Sequence, residues 1–184
     1  MELYETVRAR QSIRQYKADP VPEESLTRVL EAFRAAPSWA NVQPWEIVLV
    51  KDPSVKEALQ KTLPPGNPAT HAIVEAPLLV CVVGISGVSG WYKGKQVTAR
   101  GDWMLFDLGI ACEHLALAAT AEGLGTVHVA LFDFEKASEI LNVRENRSVV
   151  ELIPLGFPAR LPRPVLRKPL EEFVFKETYG QKYF

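Results

Sequence analysis

The sequence predicts a mixed chain, of α/β or α+β class, whose helices and strands interleave around one sheet. Three observations carry that reading. Leu78–Val83 (LLVCVV) is a continuous apolar run of strand length, as expected for a strand covered on both faces. Two further strand-like runs, Trp45–Val50 and Val149–Leu155, are separated by segments of helical pattern. Finally, the stretch from about Gly101 to Glu122 reads as one long helix with apolar side chains on nearly every face. At 184 residues the chain suits one domain with an appended arm better than two independent units.

Taken in order, residues 2–10 allow a short helix through Leu3 and Val7. Glu23–Ala36 is a firmer helix: Leu26, Val29, Leu30 and Phe33 recur at helical spacing behind a Pro22-Glu23-Glu24 start, and Pro37 ends it. The Trp45–Val50 strand leads to a helix at Pro53–Thr62, and Leu63–Pro68 (LPPGNP) can only be loop. After the Leu78–Val83 strand comes a glycine-rich loop through Gly84, Gly87, Gly90 and Gly94. Its Trp91 and Tyr92 suit either the walls of a pocket or pins that hold the loop to the body.

The long helix follows, with Trp103, Met104, Leu105, Phe106, Leu108, Ile110, Leu115 and Leu117 distributed around it. A helix apolar all round must be buried all round, and a chain this small can hardly cover it alone. A large subunit interface is therefore expected on this ground by itself. Gly123-Leu124-Gly125 then leads to a strand at Thr126–Phe132, a helix at Phe134–Leu141 and the strand at Val149–Leu155. From Phe157 to Lys168 three prolines are interspersed with four arginines or lysines, a composition that cannot fold on itself and is expected to run extended over another surface.

Composition narrows the function. The 21 Lys+Arg and 22 Asp+Glu leave a net charge of -1, with no basic excess to neutralise a nucleic acid backbone. The hydrophobic fraction of 47% supplies a sizeable core and argues against global disorder. Cys81 and Cys112 sit inside apolar runs and read as buried free thiols; His71, His114 and His128 are scattered singly, so no metal site is expected. The charged amino terminus lacks the apolar core of a signal peptide, and no uninterrupted apolar stretch reaches the ~18 residues of a membrane span. A soluble cytoplasmic protein is the expectation.

Two segments could carry chemistry. Arg8-Ala9-Arg10-Gln11-Ser12-Ile13-Arg14 puts three guanidiniums and a hydroxyl within seven residues. It suits a phosphate monoester, and equally a helix end dressed with solvated arginines. Ala36-Pro37-Ser38-Trp39-Ala40-Asn41-Val42-Gln43-Pro44-Trp45 packs amides between two tryptophans. It suits the imide edge of a heterocycle, or a rigid turn whose polar groups satisfy local backbone. No GxGxxG follows a strand, no GxxxxGK[ST] occurs, and no GxSxG or triad pattern is present, which disfavours a dinucleotide-binding Rossmann unit, a P-loop and an α/β-hydrolase.

In combination the blocks are specific. The order RxRQSIRxY, APSWANVQPWxIVLV, DxMLFDLGIACEHLALAATAEGLGT, IPLGFPA and RKPLEEFV resembles the nitroreductase family of small FMN-dependent oxidoreductases, from about Tyr4 to Gly180. The resemblance implies an α+β fold with a central, mostly antiparallel sheet flanked by helices. It also implies an intertwined homodimer, with the tail from about residue 157 wrapping the partner and FMN bound between subunits. By position, Arg10 and Ser12 would bind the FMN phosphate with Gln11 alongside, and Arg14 would lie near flavin N1 and O2.

On the same resemblance, Pro37, Ser38, Trp39 and Asn41 would contact the flavin from the partner subunit, with Trp39 bulkier than the small residue usual there. Ala130-Leu131 would offer backbone to flavin N5 and O4, Gly156 would stand beside the cofactor, and Arg167 or Lys168 would make a second phosphate contact. Asn67 would touch the flavin; Arg8 would remain a surface residue. The implied activity is electron transfer from NADH or NADPH through flavin N5 to an electron-poor small aromatic acceptor, a nitroaromatic or a quinone, with no catalytic side chain of its own. Reductive dehalogenation, flavin-consuming benzimidazole synthesis and a non-catalytic flavin-binding role are the alternatives.

Overall fold

In a computed structural model, which describes residues 2–184, the chain folds as an α+β protein around a four-stranded antiparallel sheet. The elements are α1 (Leu3–Ala9), α2 (Glu23–Arg34), β1 (Trp45–Val50), α3 (Pro53–Gln60), α4 (Thr70–Glu75), β2 (Leu78–Ile85), β3 (Trp91–Tyr92), β4 (Lys95–Gln96), α5 (Met104–Ala121), β5 (Gly125–Thr126), α6 (Phe134–Ile140) and β6 (Arg147–Gly156). The sheet order is β1-β2-β6-β5.

β2 is the sheet's centre, and its apolar run works as expected. Leu78, Val80 and Val82 pack on one face with α2 and α5, while Leu79, Cys81 and Val83 pack on the other against α3, α4 and α6. Both cysteines are free and buried. Lys56 ties α3 to α4: its buried ammonium donates to the carbonyls of Val74 (3.0 Å) and Ala76 (2.8 Å), and burial lowers its pKa.

Four sequence expectations change. The strand expected over Thr126–Phe132 pairs only at Gly125–Thr126, with one isolated bridge from Val129 to Leu152; the rest curves away as an irregular wall. The glycine-rich loop forms a small β3–β4 hairpin, with Trp91 half-buried and Tyr92 exposed. The expected anchors of α1, Leu3 and Val7, are exposed, and Thr6 is the buried residue.

The fourth concerns α5. At 18 residues and mean hydropathy 1.4 it meets the length and composition of a membrane span, yet it is a core helix, with Leu108, Ala111, Cys112, Leu115, Ala116 and Ala119 turned inward. It is not buried all round within one chain: Leu105 and Phe106 are 63% and 60% exposed.

The arginine-rich segment is docked beside the sheet. Ile13 N donates to Thr126 O (2.8 Å), and Ser12 bridges Thr126 in parallel, so residues 12–14 run as an added strand next to β5. Ile13 is buried, and the period-2 alternation of an extended segment puts Ser12 and Arg14 on the opposite side. Tyr16 closes the segment, its hydroxyl donating to Ile13 O (2.8 Å) and Pro154 O (3.1 Å); burial raises its pKa far above the usual phenol value.

Gly125 makes the docking possible, because a Cβ there would lie 2.5 Å from Ile13 Cγ1 and 2.8 Å from its Cβ. Gly125→Ala should therefore destabilise the protein by about 1–3 kcal/mol, the usual range for overpacking. Denaturant unfolding should show a lowered midpoint at an unchanged slope.

Candidate functional site

Extended backbone at residues 12–14 turns Ser12 and Arg14 outward, and the proline-rich tail crosses over them. Between the two lies a cleft of about 460 Å³ lined by Arg8, Arg10, Gln11, Ser12, Arg14, Arg163 and Arg167, among others. Five guanidiniums converge there, and among the described residues no acidic side chain lines the cleft. A second chamber of about 380 Å³ shares Ser12, Arg14 and Pro162 with it and adds His71, Glu75 and Arg160.

Arg14 also reaches a smaller third chamber, of about 110 Å³, with Asn67, Pro68 and the irregular wall Val127–Leu131. It is the one residue common to all three. Its guanidinium is exposed and donates to Ser12 O at 3.3 Å. Asn67 fixes the far end, its amide donating to Leu131 O (3.2 Å) while its oxygen accepts from Ala69 N (2.9 Å).

Behind the cleft stands a row of alternating charges. Arg10 Nε lies 3.5 Å from Glu113 Oε1; Glu113 Oε2 lies 3.4 Å from His128 Nε2; His128 Nδ1 lies 2.7 Å from Glu151 Oε1. His128 is thus not the isolated histidine expected from sequence. Hydrogen bonding to Glu113, then to Glu151, raises its pKa to about 9 against the opposing effect of burial.

The Pro37–Gln43 loop lies elsewhere. Pro37, Ser38 and Trp39 line a separate aromatic slot with Trp103, Phe106, Asp107 and Ile110, and Asn41 is exposed beside it. Ala40, Asn41 and Gln43 all take positive φ (46°, 57° and 48°), a strained choice for residues with a Cβ. The loop is held by Ser38 Oγ, which accepts from Gln43 N (2.9 Å), and by Asp107, which accepts from Trp39 N (3.1 Å) and from the buried hydroxyl of Ser89 (2.6 Å).

The structure therefore gathers Arg10, Gln11, Ser12, Arg14, Asn67, Ala130, Leu131 and Arg167 around neighbouring cavities that share Arg14, and sets Pro37, Ser38, Trp39 and Asn41 apart from them. Of the basic pair, Arg167 lines the groove and exposed Lys168 does not. Gly156 is buried in β6, where a Cβ would lie 2.5 Å from Pro77 Cδ, so its glycine has a packing cause.

Arg8, expected only at the surface, lines the cleft, and Arg163 joins it unforeseen. Proline spacing announced an extended tail but not which of its cations would face inward. Asp107 was also missed, although a carboxylate inside an apolar helix was its signal.

Fold and groove define the class: an antiparallel-sheet α+β protein with an arginine-lined groove. The family follows from comparison. The model of the nitroreductase family matches residues 7–157, and the chain belongs to that family. It is similar to an NADH dehydrogenase of Thermus thermophilus, 34% identical over 190 residues, with 90% of this chain and 91% of that protein covered. It also resembles a 5,6-dimethylbenzimidazole synthase of Rhodospirillum rubrum at 27% identity, with 86% and 90% covered. Among solved structures, a nitroreductase family protein of Clostridium novyi superposes with a TM-score of 0.78 at 29% identity, covering 100% of this chain and 97% of that one.

The His128 pairings carry a pH signature. A histidine whose pKa is raised on folding adds stability that is complete below its unfolded value, about 6.5, and is lost as pH rises through about 9. The melting temperature of the wild type should exceed that of His128→Gln at pH 6, and the gap should close by pH 9.5. A gap independent of pH would contradict the pairing.

Proposed function

We propose that the protein is an FMN-dependent oxidoreductase that passes electrons from NADH or NADPH to an electron-poor small aromatic acceptor, a nitroaromatic or a quinone, in a ping-pong cycle. One observation carries the reading. Arg10, Ser12, Arg14 and Arg167, drawn from both ends of the sequence, line one cleft, and Arg14 also lines a neighbouring chamber with Asn67 and the Ala130–Leu131 backbone.

The donor set fits the cofactor. Guanidiniums with no carboxylate among the described residues of the cleft wall suit a phosphate dianion, since planar forks bind phosphate oxygens in pairs. Ser12 adds a short neutral donor. Gln11 Oε1 is buried there without a partner among the described residues and can accept from a ribityl hydroxyl. FMN, once bound, supplies the hydride chemistry at its N5.

The chain supplies binding, orientation and charge. Arg10, Ser12 and Arg167 would hold the phosphate end. Arg14, which lines all three chambers, would offer a fixed positive charge to the ring, stabilising the negative charge that gathers on reduction. Asn67 and the 130–131 backbone would hold the other side of the ring, and Gly156 lets β6 pack close against Pro77. No side chain acts as catalytic acid or base.

Pro37, Ser38, Trp39 and Asn41 would complete the site from a second copy of the chain. The apolar surface left open fits such a homodimer: Leu105 and Phe106 on α5, and Leu166 (95% exposed) and Tyr179 in a tail that would wrap the partner. Buried free thiols accord with residence in the cytoplasm.

Purified protein should be yellow or turn so with FMN, and should oxidise NADH or NADPH steadily with a nitroaromatic or quinone. Flavin that neither nicotinamide reduces would sink the redox reading, and flavin consumed during turnover would point to the benzimidazole chemistry.

Two arginine variants separate binding from redox tuning. Arg10→Ala removes a charge-assisted hydrogen bond worth about 1.5–3 kcal/mol, so FMN affinity should fall about ten- to a hundredfold with the midpoint potential unmoved. Arg14→Ala should lower the potential of the FMN-saturated protein, by roughly 30 mV for each ~1.4 kcal/mol lost. Spectroelectrochemistry decides, and equal shifts in both variants would overturn the assignment. If the site is shared between subunits, FMN at about 100 times its Kd should add about 2.7 kcal/mol per site, and the melting temperature should rise with both FMN and protein concentration.

A further inference from the structure

We infer that Glu113 and His128 are positioning residues for Arg10, through which the protonation of His128 controls how strongly the cleft holds the phosphate of FMN. The inference rests on the FMN site proposed above. Its basis is geometric. Arg10's side chain is only 15% exposed, and its Nε faces Glu113 at 3.5 Å. A carboxylate on Nε leaves the terminal nitrogens of the fork to a phosphate.

Glu113 is shared. Its other oxygen meets His128 at 3.4 Å, and His128 is held on its far side by Glu151 at 2.7 Å. With His128 charged, the row Arg10–Glu113–His128–Glu151 is two cations and two anions, and Glu113 is divided between its neighbours. When His128 loses its proton, the row gains a net negative charge, and Glu113 has only Arg10 to neutralise it. Carboxylate and phosphate then compete for one guanidinium.

The groups that face His128 are few. Helix α5 contributes Glu113 and, near Glu151, the thiol of Cys112, whose pKa burial pushes far above the usual range. Strand β6 contributes Glu151. The arginine-rich segment contributes Arg10 through Glu113 and Arg14, which lines the same small chamber as His128. His128, its pKa raised to about 9 by Glu113 and Glu151, changes charge between pH 7 and 9.5. Linkage requires the converse: bound FMN must raise the pKa of His128 further.

Titration of the full chain with FMN and with riboflavin, followed by flavin fluorescence between pH 7 and 9.5, tests this. Riboflavin has the same ring and lacks the phosphate. The FMN dissociation constant should rise about three- to tenfold across the range, as expected when one nearby charge changes at a half-exposed site, while that of riboflavin stays level. His128→Gln should bind FMN more weakly at pH 7 and lose the pH dependence. Glu113→Gln, which removes the competing carboxylate, should lose the pH dependence without weakened binding at pH 9.5.

Preference for FMN over riboflavin with no pH dependence would overturn the inference and leave the FMN site standing. An unchanged slope in both variants would overturn it likewise. Equal binding of FMN and riboflavin at pH 7 would overturn the phosphate site itself.

Discussion

The seating of Ile13 against Gly125 is the contact on which the rest of the groove depends. An extended segment alternates its side chains, so burying Ile13 forces Ser12 and Arg14 outward. The burial needs a strand with no Cβ beneath it, which Gly125 supplies, and a latch at the end, which Tyr16 supplies by donating to Ile13 O and Pro154 O. Three arginines near a helix end would otherwise be solvated cations of no particular geometry. One apolar contact converts them into a wall.

That wall concentrates positive charge on a chain whose net charge is only -1. The balancing carboxylates lie elsewhere: Glu24 and Glu122 on Arg28, Glu46 on Arg147, and Glu113 behind Arg10. These four carboxylates thus engage arginines outside the cleft or, at Glu113, the Nε of Arg10. Neutrality of the whole chain and strong local attraction for an anion are compatible for this reason. Composition argues against a polyanionic partner, yet it says nothing of a single phosphate.

Much of the fold was legible because the signals are local. The continuous apolar run of β2, covered on both faces, and the spacing of Leu26, Val29 and Phe33 need only the period of strand or helix. The misjudged wall, residues 127–132, shows the limit. Its composition favours a strand, but pairing depends on a neighbour, and beyond Thr126 only Val129 finds one, at Leu152. For the groove, the short-range motif Arg10–Arg14 was readable from order alone. Arg8 and Arg163 were not, because their place depends on how the tail crosses α1, a contact between segments some 150 residues apart. Lys168 and Arg167 are adjacent and chemically alike, and only backbone direction separates them.

Helix α5 shows what an apolar pattern can and cannot specify. Its apolar residues are spread round the helix, and within one chain Leu105 and Phe106 stay exposed. Yet Asp107 sits beside them, buried and fully engaged by Trp39 N and Ser89 Oγ, so this face is an ordered platform, not leftover hydrophobic surface. It carries the strained Trp39–Gln43 loop at one end and Glu113, Arg10's partner, nearer the other. A second copy seated on α5 would therefore bury apolar side chains, fix the loop and bring it toward the arginine groove in one step. Cofactor binding and assembly would then draw on the same helix.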